Sequence, residues 1–375
     1  MNRFRVALFA SAAMVAGMVT APALADIVIG LGAPITGPNA AFGEQMRRGA
    51  EQAVKDINAA GGVNGEQLVL VIGDDASDPR QGVAAANDLV GQGAVFVAGH
   101  FNSSVSIPAS EIYADEGVLM ISPGSTNPQL TEQGFTTVFR TCGRDDQQGD
   151  VAGAFIVERF PDANVAIIHD QTTYGKGLAD ATKAAMNELG KQEVLYEGVT
   201  VGELDYSALV SKMKQANVDV IYFGGLHNEA GLILRQAREQ ALNAQFISGD
   251  GIVTQEFWSI TGDAGEGALM TFGADQRNQP AAKEVVETFR AQGYEPEGYT
   301  LYTYGSVQAW AQAANKVGTT DAEEVAAALR DGEYQTVLGN LSFDEKGDRT
   351  TSDYVFYIWN SGTYRELGDG ELVIR

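Results

Sequence analysis

The sequence predicts an α/β protein built from two doubly wound parallel-sheet units, on three observations. Short apolar runs alternate with helical stretches of about ten residues or more, the pattern of parallel strands and their crossover helices. The alternation restarts after Arg144, so there are two such units. Several runs end in small or polar residues, as at the carboxyl edge of an open sheet, where ligands bind.

In the first unit, Asp26 to Gly32 reads as a strand. Glu44 to Ala60 reads as a helix ending on Gly61-Gly62, a glycine C-cap. Gln67 to Ile72 is a strand, Asp74 to Pro79 a polar loop, and Gln81 to Gly91 a helix. The strands Ala94 to Ala98, Val118 to Ile121 and Thr137 to Thr141 follow, with a helix near Ser104 to Glu116 between the first two. The second unit runs helix Val151 to Phe160, strand Asn164 to His169, helix Gly177 to Leu189 and strand Glu193 to Val199. It continues through helix Tyr206 to Asn217, strand Asp219 to Phe223, helix Glu229 to Gln240 and strand Gln245 to Ser248. After about Gly273 the pattern becomes helical over Ala281 to Gln292, Tyr302 to Val317 and Asp321 to Leu329. It ends in strands Leu338 to Phe343, Asp353 to Trp359 and Glu371 to Ile374.

The N-terminus carries Arg3 and Arg5, an uncharged stretch from Val6 to Val19, and Ala23-Leu24-Ala25. This is the pattern of a secretory signal peptide cleaved after Ala25, its apolar core too short to span a bilayer. The formal charge is −24, and loss of Arg3 and Arg5 makes it −26. So acidic a chain excludes nucleic acid and anionic lipid as partners. The single cysteine, Cys142, permits no internal disulfide and reads as a small buried residue at a strand end, not a reactive thiol.

Two strand ends hold the chemistry. One is Gly99-His100-Phe101-Asn102-Ser103-Ser104 and the other Ser122-Pro123-Gly124-Ser125-Thr126. Ser103 or Ser104 is suited to cap the helix that follows, whose first N–H groups attract an anion, so a small carboxylate is the expected guest. Gly30-Leu31-Gly32 and Gly175-Lys176-Gly177 both lack the third glycine of a dinucleotide fingerprint, and there is no Walker A sequence. His100, His169 and His227 are far apart and read as structural residues, not metal ligands. No Gly-x-Ser-x-Gly elbow supports a secreted hydrolase. Neither an enzyme nor a cofactor or metal is expected. Phe42, Phe101, Tyr174 and Tyr299 follow predicted elements or adjoin glycines, and suit either packing or a ligand wall. Asp250, in Ser248-Gly249-Asp250-Gly251, is either a flexible turn or a buried anion awaiting an ammonium.

These residues carry a resemblance. Gly49-Ala50-Glu51-Gln52-Ala53-Val54, Ile57-Asn58-Ala59-Ala60-Gly61-Gly62, Gly73-Asp74-Asp75, Pro108-Ala109-Ser110, Tyr174-Gly175-Lys176-Gly177, Leu234-Arg235-Gln236-Ala237-Arg238 and Phe343-Asp344-Glu345-Lys346-Gly347-Asp348 stand in one order. In these stretches the chain resembles the type I periplasmic solute-binding proteins of ABC transporters, in the leucine/isoleucine/valine-binding branch. The resemblance implies two lobes joined by three crossovers near Arg144, Gly273 and Thr351. The first lobe would hold 26–144 with 274–350, the second 145–273 with 351–375. It further implies a monomeric periplasmic protein that closes on an amino acid and delivers it to a membrane permease.

By the same resemblance, Ser103 and Thr126 bind the ligand's carboxylate. The Gly124 carbonyl, the Thr126 hydroxyl and Asp250 receive its ammonium, and Tyr174 covers it. The family's disulfide positions hold Ser77 and Asn102. Its usual leucine, tyrosine and glutamate are replaced here by Phe101, Leu226 and Asp250. A phenylalanine intruding at 101 and a shorter acid at 250 lead to the expectation of a compact ligand such as alanine, proline or γ-aminobutyrate. Leucine, isoleucine or valine is the alternative, as is a sensor serving a separate membrane receptor.

Overall fold

The computed structural model describes residues 26–368; the signal segment 1–25 and the strand expected at Glu371 to Ile374 lie outside them. Fourteen strands are found among the described residues. The first sheet uses β1 (Ile27–Ala33), β2 (Leu68–Asp74), β3 (Phe96–Gly99), β4 (Leu119–Ser122) and β5 (Val138–Arg140), in the order β2-β1-β3-β4-β5. All its pairings are parallel. β3 and β4 are buried throughout, which explains why they read as unbroken apolar runs.

The second sheet takes β6 (Val165–His169), β7 (Leu195–Gly198), β8 (Val220–Gly224), β9 (Gln245–Ser248) and β10 (Leu269–Gly273). A small hairpin, β11 (Tyr334–Thr336) and β12 (Gly339–Leu341), stands apart. β13 (Tyr354–Asn360) and β14 (Thr363–Glu366) then complete the second sheet in the order β14-β13-β10-β9-β8-β6-β7. Here the expectation of a wholly parallel sheet is corrected, because β13 runs antiparallel to β10 and β14 antiparallel to β13. The chain returns to this sheet edge after an excursion over the other body, so β13 enters without a crossover helix of its own. Ser361 and Gly362, both at positive φ, form the tight turn that sends β14 back.

The chain passes between the two bodies three times. The first passage follows β5 into the helix Asp145–Arg159, and the second follows β10. The helix Thr300–Val317 then packs on the helix Ala40–Ala59 of the first body. Trp310 anchors it there, its ring stacked on Phe96 of β3 at 4.8 Å and 8° between planes. The third passage leads from β12 to β13. Elements not anticipated from the sequence include β10, β11, β14 and the helices Gln129–Glu132 and Gln255–Thr261.

Candidate functional site

The carboxyl ends of β3 and β4 face those of β8 and β9 across a narrow cleft. It is lined by Phe101, Asn102, Ser103, Gly124, Tyr174, Leu226, Asp250, Gly251 and Tyr299. Eight of the ten site residues picked from the sequence thus meet in one cavity, joined by Gly251. Thr126 and Phe42 are fully buried and do not line it. Thr126 Oγ1 is buried without a hydrogen-bond partner, and Phe42 backs the wall, its ring stacked on Phe101 at 4.4 Å.

At one end stands the helix Ser103–Asp115. The capping expectation is corrected: Asn102 is the N-cap and its side chain makes no capping bond, while Ser103 and Ser104 are the first helical residues. Their N–H groups precede the first intrahelical bonds, from Val105 and Ser106 to the Asn102 carbonyl at 2.9 Å. Such a start attracts anions. Ser103 Oγ accepts from the Asn127 N–H at 3.3 Å, tying the helix start to the Gly124 loop.

That loop is held from below. His100 is a satisfied structural residue, with Nδ1 2.7 Å from Asp75 Oδ2 and Nε2 2.9 Å from the Tyr113 hydroxyl. Its carbonyl accepts from Ser122 Oγ at 2.7 Å. Ser125 Oγ donates to the Phe101 carbonyl at 2.9 Å and is also bonded to Ser106 Oγ. His169 and His227 are likewise engaged locally, with the Gln171 N–H and Glu256.

At the other end is Asp250, 2 % exposed. Its Oδ1 accepts from the Tyr174 hydroxyl at 2.7 Å, and that phenol oxygen in turn accepts from the Gly251 N–H at 3.1 Å. The side chains of Tyr299 and Gln148 also reach the Asp250 carboxyl. Burial pushes its pKa up, and these donors oppose the shift. Burial, reinforced by the neighbouring carboxylate, lifts the Tyr174 and Tyr299 phenols well above the ordinary tyrosine range. They are therefore neutral donors at any working pH.

The apolar wall has a definite cause. A Cβ on Gly124 would stand 2.8 Å from Phe101 Cδ2 and 3.4 Å from Tyr299 Cδ1. Phe101 therefore leans over the bare α-carbon of Gly124 and lies flat on Phe42, with Tyr299 edge-on to it at 5.1 Å. Burial pushes the Cys142 thiol up to about 12, so it is chemically inert as expected.

Three bonds close the cleft rim. Asn127 Nδ2 donates to the Thr173 carbonyl at 2.9 Å, and Asn228 Nδ2 to the Pro38 carbonyl at 2.9 Å. Gln45 Nε2 donates to the Val253 carbonyl at 3.4 Å, while its Oε1 accepts from the Tyr299 N–H at 2.9 Å. The arrangement can enclose a small zwitterion, with donors at one end and a carboxyl at the other. The sequence reading missed Asp145 and Gln148, which sit behind Asp250. Their only signal was a polar run opening a helix, indistinguishable from a solvated face.

A family profile described as periplasmic binding protein matches residues 26–363. Over 341 residues the chain is 59% identical to the "Leu/Ile/Val-binding protein homolog 1" of Brucella suis, covering 91% of this chain and 92% of that one. Among solved structures it is similar to the leucine-binding protein LivK of Thermotoga maritima, with a TM-score of 0.85, 28% identity, and 91% and 98% of the two chains covered. It is also similar to the branched-chain amino acid transporter substrate-binding protein LivJ of Streptococcus pneumoniae in complex with isoleucine. There the TM-score is 0.84 at 27% identity, with 92% and 99% covered. A match over nearly every described residue, reached independently by sequence and by fold, shows that the chain belongs to the periplasmic binding protein family.

Proposed function

We propose that the protein captures a branched-chain amino acid in the periplasm and presents it to the permease of an ABC transporter. The observation that carries this reading is the polarity of the cavity. An open helix start at Ser103 faces the buried carboxyl of Asp250 across an apolar wall of Phe101, Leu226 and Tyr299. Ser103 and Thr126 bind the α-carboxylate. Asp250, the Thr126 hydroxyl and the Gly124 carbonyl bind the ammonium, and Tyr174 covers the ligand. Asn102 and Phe42 support the wall and the helix start.

The expectation of a compact ligand gives way here to leucine, isoleucine or valine. The names carried by relatives at this level of identity favour the larger side chains. The steric argument against them is weakened by Gly124, whose bare α-carbon lets the Phe101 ring lean against it.

The lobes of this reading are 26–144 with 274–350, and 145–273 with 351–375, and the protein works as a monomer. Contacts available only with the lobes together, such as Asn127 to Thr173, draw the equilibrium toward closure once ligand is bound. The closed shape is what the permease reads. Calorimetric titration with leucine, isoleucine, valine, alanine, proline and γ-aminobutyrate tests the assignment. Micromolar binding of the first three, about −8 kcal/mol, is expected. Tight alanine or γ-aminobutyrate binding without a response to leucine would refute it.

A further inference from the structure

The wall of the ligand cavity is backed from the second body by a side chain that does not line the cavity. Leu226 reaches the cavity, and the next residue, His227, opens the helix His227–Glu239 that follows β8. The imidazole of His227 is fully buried. It is fixed within its own body by Nε2, which stands 3.1 Å from Glu256 Oε2 on the helix Gln255–Thr261. That bond requires the hydrogen on Nε2 and sets the plane of the ring. Nδ1 has no hydrogen-bond partner, and the Glu256 side chain is exposed to solvent.

The same ring meets the first body. Its centroid lies 5.4 Å from that of Phe42 with 76° between planes, an edge-to-face pair. Phe42 sits at the start of the helix Ala40–Ala59, where Asn39 Nδ2 donates to Ser77 Oγ at 2.9 Å, and its ring lies flat on Phe101 at 4.4 Å. Tyr299 stands edge-on to both phenylalanines, at 5.8 Å and 5.1 Å. Rings in contact thus run from Phe101 at the cavity through Phe42 to His227, and the last of them is tied to Glu256. Beside this chain Asn228 Nδ2 donates to the Pro38 carbonyl at 2.9 Å. Two successive residues at one helix start therefore meet the entry to a helix of the other body. Phe101 rests on the bare α-carbon of Gly124, so no side chain at 124 wedges its ring, and its posture depends on Phe42 and Tyr299.

We propose that His227 is a positioning residue for the ligand wall: it seats on Phe42 as the lobes come together and so fixes the Phe42–Phe101 stack on which the ligand side chain rests. The wall is complete in the closed protein and loose in the open one. Encounter with ligand does not use the contact, because the two bodies are still apart, so its worth is read as slower release. Histidine supplies both parts of the device, a ring for Phe42 and a nitrogen for Glu256. Phenylalanine would offer the first alone, and glutamine the second alone.

This inference rests on the proposed closure on an amino acid, and the experiment separates the two. Release of labelled leucine is followed by rapid filtration after dilution into unlabelled leucine, and calorimetric Kd values then supply kon. His227→Gln should speed leucine release about four- to tenfold, the worth of an aromatic pair, with kon within about twofold of wild type. His227→Phe, which restores a ring, should release leucine within about twofold of wild type. Glu256→Ala alters an exposed side chain that does not line the cavity, and it leaves both nitrogens of the buried imidazole without partners. It should speed release about threefold with kon unchanged. The ratio of leucine to valine affinity should shift about threefold or more in His227→Gln, because the two ligands differ by one methylene at the wall. Release unchanged in both His227→Gln and Glu256→Ala, or a loss carried by kon, overturns the proposal. So does His227→Phe releasing leucine as fast as His227→Gln, and so does an unchanged leucine-to-valine ratio. If the wild-type protein binds alanine or γ-aminobutyrate in place of leucine, the ligand assignment falls, and the same release rates read with that amino acid decide the role of His227. A wild-type protein that binds none of these overturns both readings.

Discussion

Replacing Asp250 by asparagine should abolish capture while leaving the empty protein at least as stable. Asparagine is nearly isosteric and its carbonyl still accepts from the Tyr174 hydroxyl, which stands 2.7 Å from Asp250 Oδ1. What disappears is the charge. At 2 % exposure there is no water to replace it, so an arriving ammonium would be buried without a counter-ion. Removing one member of such a pair costs on the order of 2–5 kcal/mol, or about 30-fold to several thousandfold in Kd. Without ligand the balance reverses, because a buried carboxylate is itself unfavourable and its neutral imitation relieves that. A gain of about 1 kcal/mol, roughly one to two degrees in Tm for a chain of this length, is expected. Calorimetry with leucine and a thermal melt of the ligand-free protein measure the two effects. Leucine affinity within threefold of wild type, with the melt unchanged, would show that the ammonium lies elsewhere.

Gly124→Ala should weaken leucine binding by about tenfold or more with the fold retained, since the new Cβ would meet Phe101 Cδ2 at 2.8 Å and push the ring toward the ligand. The sign is informative: if alanine binding improves while leucine binding falls, the wall sets ligand size. Asn127→Ala and Asn228→Ala each remove one rim bond, to Thr173 and Pro38. Each should lower affinity about two- to tenfold, the worth of a partly solvated hydrogen bond. Because the bonds join different pairs of elements, the double variant should show the product of the two effects by titration.

The strands and crossover helices were legible because burial on both faces leaves runs such as Leu119-Met120-Ile121 without interruption. β10 escaped for a related reason. Leu269 to Gly273 is equally apolar, but the chain leaves it for the other body, so no second strand follows to complete the rhythm. The site was legible where it obeys the strand-end rule, at Ser103, Gly124 and Asp250. The posture of Phe101 was not, because it depends on a missing side chain 23 residues later and on Phe42 from another element. The reading of Phe101 as an intruder took the bulky residue alone, without these two neighbours. Asp145 was invisible for the opposite reason: a polar helix start looks solvated until a second body covers it.

Cys142 has a practical consequence. The chain's one thiol is 3 % exposed, packed near the Ser125 carbonyl at 3.5 Å, and its pKa of about 12 leaves almost no thiolate at neutral pH. Reagents that attack thiolates have nothing to find in the native fold. A cysteine introduced in place of Asn228, where the two bodies touch through Pro38, would be the sole addressable handle in an otherwise wild-type background. If ligand closes the cleft as proposed, a fluorophore attached there would change surroundings on binding, making the protein an optical reporter with no native thiol to mask.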